Sequence, residues 1–287
     1  MIDRSLEWLT ATLSHCRIRR DLPKWLFIAM GIGGIVVSLV IYEWFSVRQT
    51  AINTSQTTIP SFTQLFAGVQ RTFQTQGKLE NPKPPMFWND VGATLSRLAL
   101  GLGLGVIAST VVGILMGCYR WIEAPISPII VFMSKVPPIA IMPFYFVLAG
   151  SGFRMFVLMV SLGVFFSMTQ TIFLAVRDNV SDEAISKAYT LGASEFEVIY
   201  EVIWKQILPN FLDCIRSQIG PAMVYLLAAE FSIGEPGMGY QIRMQYRSQS
   251  FNIILFYAFL LGVIGLILDF GLEWFRKWLC PWFQEGR

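Results

Sequence analysis

Charge is scarce in this sequence: Asp, Glu, Lys and Arg together make 14% of its 287 residues, against about a quarter in a soluble domain. That argues against a water-exposed globule, disordered chain or coiled coil. Histidine is nearly absent, with His15 alone, and the cysteines (Cys16, Cys118, Cys214, Cys280) lie far apart without a Cys-x-x-Cys pair. Zinc sites and redox pairs need clustered ligands, so both drop out along with most histidine-based catalysis. A net charge of only +3, spread over scattered basic residues, gives no support for nucleic-acid binding. A phosphate-cradling loop is missing too. Gly77-Lys78 is followed by Leu79, and Thr72 stands where the upstream glycine is required. ATP and Mg therefore have no such site on this polypeptide. Early acids (Asp3, Glu7) and an apolar run that begins only near Lys24 argue against a cleavable signal peptide.

Apolar length is what the chain has instead, with 54% hydrophobic residues and a mean hydropathy of +0.54. Runs approaching the ~20 apolar residues that a bilayer-crossing helix needs fall at 25–46, 91–117, 126–150, 153–176, 217–234 and 252–275. Six crossings put both termini on one side. The clusters Arg17–Arg20 and Arg276–Lys277 make it the cytoplasmic side. Trp25, Trp44, Trp88, Trp121, Trp274 and Trp278 fall at span ends, the headgroup depth such rings prefer. The expected fold class is an all-α integral membrane protein with six transmembrane helices, N-in and C-in. It divides into a cytoplasmic amphipathic helix in 1–23, a first transmembrane helix at 24–46 and an outer loop at 47–90. A core at 91–275 and a cytoplasmic tail at 276–287 follow. Apolar stripes at Ile2, Leu6, Leu9 and Leu13, and at Phe62, Leu65, Phe66, Val69 and Phe73, predict two helices that lie on the bilayer interface or on the protein itself. The proline-rich stretch 77–85 reads as an extended connector.

Within the spans, Gly101/Gly105 and Gly113/Gly117 repeat the Gly-x-x-x-Gly spacing that lets a second helix approach closely. Charges at such depth are expensive, and Glu43, Arg97, Lys135, Glu230 and Asp269 lie in or near apolar runs. Snorkelling or internal ion pairs account for Glu43, Arg97 and Asp269. Glu230 precedes Gly234-Glu-Pro-Gly-Met-Gly239, which must break the helix; an acid beside irregular backbone belongs next to protein or a wet cavity. Lys135 opens a stretch with prolines at 137, 138 and 143, which predicts a kinked helix able to line a path. The cytoplasmic segment 177–217 carries two short amphipathic helices: one capped by Ser181 or Asp182 and ended by Gly192, the next capped by Ser194 with Phe196, Ile199, Val202 and Ile203 on one face. Two helices at a glycine elbow make a docking surface or pack on their own bundle.

These residues resemble the permease subunits of ABC-type importers. That family's cytoplasmic loop reads Glu-Ala-Ala, three residues, Gly, a helix and Leu-Pro. Ser186 and Lys187 stand at the first two positions here, followed by Ala188, Gly192-Ala193-Ser194 and Leu208-Pro209. Ile59-Pro-Ser61, Thr94-Leu-Ser-Arg97, Pro137-Pro-Ile-Ala, Ala229-Glu230, Gly237-Met-Gly239 and Asp269 extend the likeness over about 59–283. In order and spacing they are similar to the branch handling nitrate, sulfonates, taurine or bicarbonate. The resemblance implies a type I importer permease in a bacterial inner membrane, paired with a second copy or a paralogue. Two ABC ATPase subunits would bind ATP and Mg, and a periplasmic or lipid-anchored solute-binding protein would deliver the solute. It implies ATPase coupling through Ser186, Lys187, Ala188, Gly192, Ala193, Ser194 and Pro209, and a translocation pathway past Lys135, Pro137, Glu230, Gly237 and Gly239. Lys135 suits an oxyanion, whereas Glu230 with aromatics suits a small nitrogen compound such as guanidine or urea. A stand-alone channel or ion-coupled carrier using Glu230 and Asp269 is the other reading, though no inverted repeat is visible. A membrane enzyme comes last, for want of clustered acids or a nucleophile–base pair.

Overall fold

The computed structural model describes residues 24–52, 59–73 and 86–283. The stripe from Ile2 to Leu13 and the 77–85 connector lie outside the described residues. Every regular element among the described residues is helical, which suits lipid, where backbone polar groups find no water to bond. The chain divides into two units, 1–64 and 65–287.

The first unit is built on α1 (Lys24–Ile52). Its hydrophobic window is exposed along its whole length, as expected of a helix solvated by lipid. Near its end the Tyr42 hydroxyl donates to the Pro60 carbonyl at 2.6 Å and Ser46 donates to that of Ile59 at 3.0 Å. These bonds hold the chain that leads into α2 (Phe62–Phe73). The stripe foreseen on α2 ends at Phe73, which within the second unit packs on Phe87 with ring centroids 4.6 Å apart.

The second unit runs through α3 (Met86–Cys118), α4 (Arg120–Met133), a 3-10 turn (Pro138–Ile141), α5 (Met142–Ala149) and α6 (Phe153–Asn179). Next come α7 (Asp182–Thr190) and α8 (Glu195–Glu197), which passes through a π-helical stretch (Val198–Trp204) into α9 (Lys205–Ile233); α10 (Met238–Arg247) and α11 (Phe251–Leu279) complete it. Trp25–Gln49, Phe87–Cys118, Phe153–Asn179 and Phe251–Leu279 are long and apolar enough to cross a bilayer, and Arg120–Met133 with Pro138–Ala149, bent by 90°, makes a fifth, broken span. The kink predicted from the prolines is thus a full break. Pro137 and Pro138 supply no N–H, and a residue before proline is pushed out of the α region; Pro137 accordingly sits at φ −63°, ψ 125°. The run 217–234 lies inside α9, as long as α11 at 29 residues but diluted by Gln218, Pro221 and Glu230.

α6 is the axis of the unit, with Met155, Phe156, Met159, Val160, Val164 and Met168 all fully buried. Gly101, Gly105, Gly113 and Gly117 of α3 face it. A Cβ on Gly101 would stand 2.7 Å from Val160, one on Gly113 2.9 Å from Ile172, and one on Gly117 2.6 Å from Val176. No side chain fits there. Lipid tails are as apolar as leucine, so close van der Waals contact of this kind is what holds two such helices together.

Polar ties mark the two ends of the unit. At one end Arg216 near the start of α9 pairs with Asp269 and, at 3.4 Å, Glu273, while Arg276 reaches Asp213 at 2.7 Å. This end also holds the Gly192 elbow. At the opposite end α3 meets the α9–α10 turn through Arg97 and Glu230, and Glu235 of that turn lies beside Gly152.

Candidate functional site: cavity, clamp and elbow

The break between α4 and α5 opens a cavity of about 260 Å³, lined by Lys135, Pro137, Tyr145, Phe166, Ser167 and Tyr225 among others. At ~30 Å³ per water that is room for about eight waters. Tyr225 and Pro138 crowd α6 here because Gly163 has no side chain; a Cβ would lie 2.8 Å from the Tyr225 ring. The Ser134 hydroxyl donates to Gln170 at 2.8 Å, and the Gln218 amide donates to Ser167 at 3.4 Å. Lys135 is exposed at this site, and among the described residues no carboxylate pairs with it. A free cation on a half-apolar, aromatic-walled cavity draws anions.

Lys135 and Pro137 therefore share one site, and Glu230, Gly237 and Gly239 share another. Glu230 is fully buried and presents no surface to the cavity. Its carboxylate accepts from Arg97 at 2.9 Å, from the Thr94 hydroxyl at 3.0 Å and from the Gly239 N–H at 3.0 Å. Arg97 also donates to the Pro236 carbonyl at 2.9 Å and to Glu235 at 3.1 Å, with its guanidinium 4.1 Å above the Phe156 ring. Thr94 accepts the Met238 N–H at 2.9 Å. A Cβ on Gly237 would fall 2.6 Å from the Glu230 carboxylate, and one on Gly239 2.6 Å from the Leu227 carbonyl, so both glycines are needed for the turn to close. Buried charges survive when each is paired and hydrogen-bonded; here the Glu230 carboxylate and both terminal nitrogens of Arg97 find partners, while Arg97 Nε has none. The arrangement clamps the α9–α10 turn onto α3. Sequence reasoning named Arg97 as a candidate for an internal ion pair and Glu230 as an acid beside the turn, but did not join the two across 133 positions. The available signal was that bases and acids both occur within the apolar runs, each costly to bury alone. Asp269, the other acid of the carrier reading, is held by Arg216.

The elbow is assembled from local signals. Ser181 accepts the Ala184 N–H at 3.3 Å and starts α7. Gly192 ends it at φ +85°, with its N–H on the Tyr189 carbonyl at 3.0 Å and the Ala193 N–H on that of Ala188 at 3.1 Å. This is the Schellman stop, which needs a left-handed residue at Gly192. Ser194 and Glu197 then close a capping box, each side chain bonding the other's backbone N–H. The Ser194 backbone N–H holds the Glu197 carboxyl below its ordinary pKa. Ala188 and Ala193 pack against the core, while Ser186 and Lys187 are exposed. Pro209 is buried inside α9, so only Val180–Trp204 separates the long helices, less than the whole of 177–217. Of the predicted packed face, Ile203 is buried and Ile199 and Val202 pack against the core, but Phe196 is 75% exposed and Val198 is buried in its place. The i→i+5 bonding of the π stretch changes the phase, so residues five apart share a side. Leu191 is 88% exposed, and Phe196 stacks on Tyr200 with rings 1° from parallel.

Long apolar helices, a broken span bordering a cavity and an apolar elbow at one end define a multi-pass membrane permease subunit. Residues 103–284 match the binding-protein-dependent transport system inner membrane components, and the chain belongs to that family. It is 26% identical over 258 residues to the taurine transport system permease protein TauC of Escherichia coli (90% of this chain, 91% of the relative). To the bicarbonate transport system permease protein CmpB of Synechococcus elongatus it is 25% identical over 260 residues (88% and 89%). Among solved structures, the MetNI methionine ABC transporter in an inward-facing conformation shares the fold at a TM-score of 0.59 and 17% identity, over 67% of this chain and 95% of that one. The chain is a transport subunit and not itself an enzyme; in such transporters the ATPase is a separate subunit.

Proposed function

We propose that this permease moves a small oxyanion of the sulfonate or bicarbonate class from the periplasm to the cytoplasm of a bacterial cell, across the inner membrane. The names of the TauC and CmpB relatives support the class, and the unpaired Lys135 at the cavity supports the sign of charge. Guanidine- or urea-like solutes lose ground because Glu230 is turned into the clamp and adds no counter-charge to the cavity. An ion-coupled carrier loses ground in the same way, since Glu230 and Asp269 are both held by arginines.

In this reading α9 supplies the remaining crossing, the fifth of six in chain order, the elbow end is cytoplasmic, and the clamp end faces the solute-binding protein. Two permeases, this chain with a copy or paralogue, sit on two ATPases that bind ATP and Mg. The observation that carries the reading is the elbow, an ordered and doubly capped corner that presents Leu191, Phe196 and Tyr200 to the solvent. Such side chains are what a protein partner's groove takes up. Ala188 to Ser194 would pass force to the bundle, and nucleotide drives the switch only by favouring one of its two states. Replacing Leu191→Asp together with Phe196→Asp should abolish co-purification of the ATPase and ATP-dependent uptake, with membrane abundance unchanged. An ATPase that still co-purifies with that variant would remove the basis for this reading.

A further inference from the structure

α4 bridges the two sites. Its foot is tied to the elbow by one bond and to the end of α6 by another. Tyr119, extended at φ −121°, ψ 109° between α3 and α4, donates its hydroxyl to Glu195 at 3.1 Å, one residue past the Ser194 cap. Glu123 in the first turn of α4 accepts from Arg177 at 3.0 Å, in the last turn of α6, where the chain departs toward the elbow. At its head α4 stops at Ser134, tied to Gln170, and the next residue is Lys135. Fourteen residues make a rod about 21 Å long.

A second cavity, of about 470 Å³, surrounds the foot and is lined by Tyr119, Arg177, Ile185, Tyr189 and Glu195 among others. It separates part of the elbow from α4 and α6. Displacement can then reach the Lys135 cavity through whatever links the elbow to α4. The Arg177–Glu123 pair joins α4 to α6, before the elbow. The Tyr119 hydroxyl joins α4 to the arm beyond it.

We propose that Tyr119 is the positioning residue that fastens α4 to the elbow through Glu195, so that ATPase-driven movement of the Gly192 corner reaches the Lys135 cavity. The inference rests on the elbow being the ATPase dock. The Tyr119 ring also packs beside Trp121, with centroids 6.1 Å apart, so Tyr119→Phe removes the hydrogen bond and keeps that contact.

The test uses the permease–ATPase complex in proteoliposomes, with Met133→Cys at the Lys135 cavity in a background freed of the native cysteines. The readout is the rate of labelling by a charged methanethiosulfonate with and without ATP and vanadate. Tyr119→Phe should shrink the nucleotide-dependent ratio by about two- to thirtyfold, the span that single residues on a coupling route command. Complex assembly and ATP hydrolysis should stay at native levels. Glu195→Gln, which keeps an acceptor, should behave as native; Glu195→Ala should behave as Tyr119→Phe, and the double variant should be no worse than either. A native ratio in Tyr119→Phe overturns the proposal. Should that variant fail to assemble, equal ratios for Glu195→Ala and Glu195→Gln overturn it from the other side. A native chain that binds no ATPase overturns the dock itself, and this inference with it.

Discussion

Gly192 sets the elbow through its backbone alone. A Cβ there would meet nothing within 4 Å, so any penalty comes from the backbone alone, held at φ +85°. A non-glycine residue in that region costs roughly 1–2 kcal/mol, and asparagine tolerates it better than most. β-Branched residues fare worst. The expected order of ATP-dependent uptake is therefore native, Gly192→Asn, Gly192→Ala, then Gly192→Val, with the last down at least roughly tenfold, as a 1.4 kcal/mol shift at the corner would produce. Membrane abundance, measured by immunoblot, should not follow that order. Uptake that tracks abundance instead would mean the corner is needed only for folding. The corner was legible in the sequence because its parts are local: a serine before each helix, an acid three residues after the second serine, and a glycine between.

At the scale of elements, the clamp is a tertiary feature that no local pattern announces. α3, α9 and α10 come together through Arg97, Glu230 and the Gly239 N–H. Removing one member of a buried pair strands the other, at about 3–5 kcal/mol. Glu230→Ala and Arg97→Ala should each lower thermal stability in detergent by that order. The double variant should cost clearly less than the two losses added, since no charge is left unpaired. Additivity within ~0.5 kcal/mol would show that the two residues act independently. What the sequence disclosed here follows the reach of each signal. The spacing of Gly101, Gly105, Gly113 and Gly117 announced a close helix contact, and that contact is made by α6. The prolines at 137 and 138 announced a break, but its 90° angle depends on what α4 and α5 pack against. The start of α9 was hidden because Pro209, ordinarily a helix stop, is accommodated in its interior. The π stretch, which buries Val198 and Ile203 together, leaves no trace in a 3.6-residue pattern.

For the molecule as a whole, the remaining question is which way the bundle faces, and the ion pairs constrain the answer more tightly than counting basic residues does. Arg216–Asp269 and Asp213–Arg276 tie the first half of α9 to the second half of α11. Whatever side the elbow occupies, the end of α11 shares it. Arg97–Glu230 and the neighbouring Glu235 set the α9–α10 turn at the opposite end, which requires α9 to traverse the unit although its hydropathy is diluted. An α9 that crosses the bilayer can bury its polar residues inward, and Gln218 and Glu230 are both buried. Polar side chains in membranes do face the protein interior. The topology expected from this is five passes in the second unit, the bent pair counted as one, with the elbow and the C-terminus both cytoplasmic. A fluorescent protein that folds only in the cytoplasm should glow when fused after residue 287 and when inserted after Gly192. A phosphatase active only in the periplasm should report when inserted at Gly234. Opposite signals from the C-terminal and Gly192 fusions would break the link made by Arg216 and Arg276, because two ends joined by buried or half-buried ion pairs cannot lie on different sides of a membrane.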